Sequence, residues 1–395
     1  MRKKIAIVVQ RYGAEVNGGS EVYTRMLSEH LAKHFDVDVI TTCALDYISW
    51  ENHYPEGTIG INGVKVHRFI VDKTRKIEQF TKLDGQLLIG SSTGSEIEQE
   101  WIDAQGPYCP KLIDYIRDNK DEYDVFVFVT YLYYLTIRGI EHVSEKSILI
   151  PTAHDEPYIY LDLYKKVFSY PKAILFLTDE ERLLVNRVFD RQYTNDDIIG
   201  TGIEVPKNVS IDHVKEKYGL SEYFVYVGRI DIGKNCPELF DYFIEYKRLN
   251  PSKVKLVLIG REVIPVPDHP DIISLGFINE TEKFNCIAGA KIMLLPSLYE
   301  SLSLVVLESM ALGTPVIVNG KCEVSKGHCI KSNAGLYYSN FHEFKGCIDY
   351  MLTNKTMYDI MSKNARDYVE NNCSWDIVTD KFIDTVNKVL ENEAE

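Results

Sequence analysis

The chain lacks any apolar run approaching the ~20 residues that a bilayer-spanning helix requires, so no integral membrane segment is expected, peripheral contact with a membrane being left open. Paired cysteines are missing as well. The eight present, Cys43, Cys109, Cys236, Cys286, Cys322, Cys329, Cys347 and Cys373, form no Cys-x-x-Cys, and several sit in apolar segments. That speaks against a zinc site and for buried thiols in a reducing cytoplasm. Positive charge is scarce: 44 Lys and Arg stand against 58 Asp and Glu, a net charge of −14. Nucleic acid and anionic lipid are therefore poor partners for the surface at large, although a local basic cluster can still bind phosphate. The N-terminal MRKKIAIVVQRYG has the charge of a leader's first region, but its apolar run is only Ile5 to Val9 and no small-residue cleavage site follows. It reads as a first core strand.

What is present is globular. A chain of 395 residues, 45% hydrophobic and 26% charged, suffices for two domains that each bury a core. Strand-like apolar runs recur at Lys4 to Val9, Val37 to Thr42, Val64 to Ile70, Val125 to Val129, Ile148 to Ile150 and Ile174 to Leu177, with amphipathic or loop segments between them. After a polar stretch from Glu204 to Glu222 a second series follows, at Tyr223 to Val227, Val254 to Ile259, Ile272 to Leu275, Ile292 to Leu295 and Val316 to Val318. The alternation predicts an α/β chain of parallel sheets covered on both faces, with ligands beyond the carboxyl ends of the strands. The expected divisions are 1–203, 204–375 and a long amphipathic last helix within 376–395. Residues 72–121 read as an insertion in the first domain, either a substrate lid or a packed helical excursion.

Chemistry-bearing residues cluster at the predicted strand ends. Asn17, Gly18, Gly19 and Ser20 let backbone pass close to a ligand at a helix N-terminus. Tyr131, Tyr133, Tyr134 and Trp101 offer faces on which a sugar ring can stack. His154, in ThrAlaHisAspGluPro, falls at a strand's carboxyl end, with Asp155 and Glu156 beside it to orient it. Arg229 and Lys234, in GlyArgIleAspIleGlyLysAsn, combine a bidentate clamp with a point charge, suited to a diphosphate. The stretch Lys291 to Val318 reads as strand, loop, helix, turn and strand, with Ser303 as N-cap ahead of Leu304. Its helix end is suited to an anion, and Glu308 lies about 6–8 Å beyond the N-cap at the helical rise, placed to accept hydrogen bonds from a ribose diol.

Glu300 and Glu308, inside PSLYESLSLVVLESMALGTPVI, resemble the E-x7-E motif of retaining GT-B glycosyltransferases, in particular glycosyltransferase family 4. The alternative for the pair is two solvated acids of an amphipathic helix. The resemblance implies two Rossmann-like doubly wound domains facing a cleft, the last helix crossing back to the first domain, and a nucleotide-diphosphate sugar as donor. It implies that Glu300 faces the donor sugar and Glu308 holds the ribose, that Gly18 and Gly19 touch donor phosphates and acceptor, and that His154 lies near the sugar and the reacting oxygen. Arg229 and Lys234 match the family's G-R-x4-K signature, while Gly260, Arg261 and Ile278 fall where the family walls the nucleobase. Thr178 to Arg182 matches a T/S-x-x-E turn. Ser301 and Ser303 depart from the family's E-G-F-G loop.

The expected activity is thus retaining hexosyl transfer from a UDP- or GDP-sugar to a glycan or other hydroxyl acceptor, in cell-surface polysaccharide or glycoconjugate synthesis, with no cofactor and no metal. AspValAsp at 36–38 imitates the metal-binding DxD of the other large glycosyltransferase architecture, but lies at a strand start, away from the expected cleft. Competing readings are a GT-B sugar-nucleotide epimerase, a phosphorylase, or a non-catalytic nucleotide-sugar-binding protein.

Overall fold

A computed structural model describes all residues except 1, 90–95, 191, 192, 194 and 392–395. The chain forms two compact units, Met1–Thr201 with Val378–Glu395, and Gly202–Ile377.

The first unit is built on strands β1 (Lys4–Val8), β2 (Asp36–Thr42), β3 (Gly57–Ile61), β4 (Val64–Phe69), β5 (Val125–Val129), β6 (Ser147–Ile150), β7 (Ala173–Phe176) and β8 (Asp196–Ile198). They lie in the order β3-β4-β2-β1-β5-β6-β7-β8. All neighbours are parallel except β3 on β4. Uniformly apolar runs such as ValPheValPheVal in β5 are buried along their whole length, as a sheet covered on both faces demands. The second unit has β9 (Tyr223–Val227), β10 (Lys255–Ile259), β11 (Ile272–Ser274), β12 (Ile292–Leu295), β13 (Val316–Asn319) and β14 (Gly335–Tyr338), all parallel, in the order β11-β10-β9-β12-β13-β14.

Chain order reverses between β1 and β5 in one sheet and between β9 and β12 in the other. At such switch points the loops beyond the carboxyl ends diverge to opposite faces and leave room for a ligand. Edge strands β3, β8 and β14 lie outside the predicted runs. Short or glycine-bearing, they take their place from pairing rather than from an apolar run. The β3–β4 hairpin did carry a signal: Asn62 and Gly63 both have positive φ, 47° and 84°, the backbone a tight two-residue turn needs.

Residues 72–121 form helices Ile77–Ile89, Glu96–Gln105 and Pro110–Asp118, whose Leu83, Leu87, Trp101, Ile102, Leu112 and Ile116 enter the core of the first unit. The insertion is a packed helical layer. Trp101, Tyr131 and Tyr134 are buried, so the sugar-stacking role expected of them fails: Trp101 stacks on Tyr158 and donates to Asp84, and Tyr131 donates to Glu156. The last helix, Trp375–Glu391, begins in the second unit; from Val378 onward it belongs to the first, where Phe382 packs edge-on against Phe35. Among the described residues no helix is long and apolar enough to cross a membrane.

Candidate active site

In the second unit the loops after β9 and β12 leave from adjacent strands. The β9 loop carries Arg229, Asp231 and Lys234. Asp231 accepts from the backbone amide of Lys234 at 2.7 Å and meets Arg229 Nε at 3.3 Å, so one carboxylate folds the loop around both cations. Asn235, in left-handed backbone at the start of helix Cys236–Leu249, donates to Pro296 O at 3.2 Å and ties this loop to the one after β12. Across that join Lys234 Nζ meets Glu300 Oε1 at 2.7 Å. Two residues 66 positions apart are thereby set side by side at the switch point.

Gly260 and Arg261 follow β10. Gly260 has φ +144°, and a Cβ there would stand 1.9 Å from Gly228 O, so its role is to let two strand-end loops touch. The amide of Ile230 donates to Arg261 O at 2.9 Å, continuing that contact, while the Arg261 side chain is exposed. Ile278 is half-buried against the core of the unit, just ahead of helix Glu280–Gly289.

Helix Leu304–Ala311 begins after the Glu300 loop. Ser303 does stand at its N-cap position, but the capping expected of it is absent. With φ 62° and ψ 60° the residue is left-handed, and its side chain makes no cap hydrogen bond, because an N-cap hydroxyl reaches the next turn only from extended backbone. Its carbonyl instead accepts from Val306 and Leu307, while the amides of Leu304 and Val305 precede the first intrahelical bond and face outward from the helix end. Glu308, further along, does not join the Lys234–Glu300 pair. It meets Lys283 Nζ at 2.8 Å, a lysine of helix Glu280–Gly289 that sequence reasoning passed over because nothing in its spacing links it to residue 308. Burial pushes the Glu308 carboxyl above the ordinary range, and Lys283 pulls it back.

In the first unit the β1 loop leads to helix Gly19–Leu31. Glu21, in its first turn, accepts from Gln10 at 3.0 Å, from Arg11 through two nitrogens, and from Ser20 at 2.9 Å. A Cβ on Gly18 would lie 2.2 Å from this carboxylate, so Gly18 makes room for an internal ion pair, whereas the same construction on Gly19 meets open space. Arg11 and Glu21 were not foreseen.

His154 follows β6 in a loop whose backbone is strained: Thr152 has φ 51°, and Thr130, after neighbouring β5, has φ 74°. Branched residues in left-handed backbone cost about 1–3 kcal/mol each and tend to persist where a site needs them. His154 Nδ1 lies 3.5 Å from Glu156 Oε1, and burial raises the Glu156 carboxyl against the pull of His154 and Tyr131. Asp155, expected to help orient the histidine, is instead engaged by Tyr160 and Arg187. Beneath the loop lies Glu181, 1% exposed, which accepts from the amides of Ala153 at 2.5 Å and Leu177 at 2.6 Å; its own amide is capped by Thr178 at 3.1 Å. Burial pushes its carboxyl up to about 8 although the amides pull downward. Asp38 of the AspValAsp segment is also internal, held by His67 at 3.0 Å and Tyr123 at 2.9 Å.

Residues 210–368 match the family described as Glycosyl transferases group 1. Over 98% of this chain and 99% of the relative, the sequence is 22% identical to an uncharacterized glycosyltransferase of Methanocaldococcus jannaschii. Among solved structures the chain resembles a sucrose-phosphate synthase of Thermosynechococcus elongatus, at TM-score 0.73 and 16% identity, covering 99% of this chain and 100% of that one. It also resembles Anabaena HepE, solved in complex with UDP and glucose, at TM-score 0.69 and 13% identity, covering 98% and 100%. These likenesses show the fold: two parallel-sheet α/β units of the GT-B kind.

Proposed function

We propose that the protein is a retaining, metal-independent glycosyltransferase whose second unit binds a UDP- or GDP-sugar. The observation that carries the reading is the meeting of Lys234 and Glu300, from loops after adjacent strands, at the point where chain order in the sheet reverses. A cation for phosphate and an acid for sugar hydroxyls stand together there, next to a helix end whose first amides can accept an anion. The matched family and the nucleotide bound in a structural neighbour point the same way.

In this reading Arg229, Lys234 and the amides of Leu304 and Val305 take the diphosphate, Glu300 the sugar hydroxyls and Glu308 the ribose diol. Gly260, Arg261 and Ile278 border the base. The acceptor hydroxyl oxygen bonds to the anomeric carbon as the bond from that carbon to the phosphate oxygen breaks; the hydroxyl proton passes to the departing phosphate oxygen on the same face. Charge that builds on the diphosphate is met by the two cations, a form of stabilisation that typically supplies the largest share of catalysis. For His154, Gly18 and Gly19 the assignment rests on the resemblance, which sets them near the sugar, the acceptor and the reacting oxygen. The proposed setting is cytoplasmic synthesis of a surface polysaccharide or glycoconjugate.

The test is turnover of UDP- and GDP-sugars with a panel of hydroxyl acceptors, the product anomer assigned by NMR. Retention of configuration, unaffected by EDTA, is expected. An inverted product or collapse in EDTA contradicts the mechanism, and donor consumption without acceptor favours an epimerase instead.

A further inference from the structure

Lys283 belongs to no motif, yet it is the partner the structure gives to the second glutamate. It sits on helix Glu280–Gly289, which Asn279 caps by accepting from the Glu282 amide at 2.9 Å, and its ammonium lies 4.7 Å from the centre of the Phe284 ring. The side chains of Lys283 and Glu308 are 20% and 16% exposed. Only Oε1 of Glu308 is engaged; among the described residues Oε2 has no hydrogen-bond partner. We infer that Lys283 is a positioning residue for nucleotide binding: it fixes Oε1 of Glu308 and thereby keeps the carboxylate charged and Oε2 turned to the ribose diol. The inference rests on the proposed function and deepens it.

The physical case follows from what Lys283 prevents. A carboxylate this sheltered, left without its cation, is an uncompensated charge that protonates or swings to water. Either outcome removes the acceptor that two ribose hydroxyls require. The other charge that acts on Glu308 is Glu280, on the same helix as Lys283 and of the sign that worsens the problem. On helix Lys355–Asn372, which packs on the Glu308 helix, Arg366 lies at Gly313, past that helix's C-terminal end, and does not substitute. Lys234 at Glu300 differs in task, because the proposed function assigns it the phosphate as well.

Calorimetric titration of the full chain with UDP, GDP and ADP, each beside its 2′,3′-dideoxy counterpart, tests this on wild type, K283M, K283R and E308Q. Wild type should prefer the ribonucleotide by about tenfold or more, the worth of hydrogen bonds to a charged group. K283M should lose most of that preference near pH 7 while binding the dideoxy form as before, K283R should retain it, and E308Q should match K283M. Because burial raises the Glu308 carboxyl and Lys283 pulls it down, the preference of K283M should recover as pH rises. Full ribose discrimination in a folded K283M overturns the positioning role with the nucleotide reading intact. Failure of all three diphosphates to bind wild type overturns both. Should K283M not fold, loss of discrimination in K283R with its charge intact would equally contradict the inference.

Discussion

Charges at the strand ends of the two units are arranged differently. In the first unit they are consumed internally: Glu21 has four donors around it, and Glu181 spends both oxygens on backbone amides. In the second, Glu300 and Glu308 each meet one lysine through one oxygen. A carboxylate with its hydrogen-bonding capacity filled specifies a loop; one half filled is poised for a ligand. The same residue type after sheet strands is therefore framework in one unit and, in the proposed function, a binding group in the other.

The contrast can be broken by substitutions whose effects separate stability from activity. The largest loss of stability is expected from E21Q, which leaves Arg11 buried beside a neutral amide; breaking such a pair costs about 3–5 kcal/mol. Thermal or urea unfolding measures it, and an unfolding midpoint equal to wild type would show that the pair is not framework. K234A should do the reverse, lowering turnover about a hundredfold or more with the fold intact, by loss of one donor to the leaving diphosphate. Steady-state kinetics beside a thermal melt decides between these outcomes.

Glu181 sharpens the comparison through pH. Its carboxyl is raised in the folded chain, to about 8, so the stability it contributes is fully present below the ordinary Glu titration near 4.5 and is lost as pH rises through about 8. Unfolding midpoints should accordingly decline across that window, and E181Q should flatten the decline while lowering the midpoint at its acid end. The smallest effect is expected at Ser303. Glycine there removes a left-handed cost of about 1–2 kcal/mol, partly offset by the freer unfolded chain, so S303G should raise the midpoint slightly. A clear drop would mean that the Ser303 side chain is needed in the loop.

Much of this was readable from the amino acids. The central strands announce themselves as apolar runs, and β12 falls where Ile292 to Leu295 placed it. Arg229 and Lys234 stand out as cations close after the apolar run of β9, and Glu300 through its spacing to Glu308. Lys283 was not readable, since its meaning comes from a helix packing against residues 25 positions away. Nor was the left-handed turn at Ser303: serine before an apolar helix is the usual N-cap, and only the path of the preceding loop reverses its role. Asp231 and Asn235 hide for a similar reason, each acting on backbone that the fold brings near.

The central claim is that the second unit presents cations to a pyrophosphate at its switch point. Titration of UDP, GDP, ADP and dTDP into wild type and K234A tests it most directly. At least one should bind wild type and lose about tenfold or more in affinity on K234A, the scale expected for a charge-assisted contact, with the fold intact. Binding that is indifferent to Lys234, or absent for every nucleotide, would contradict the account.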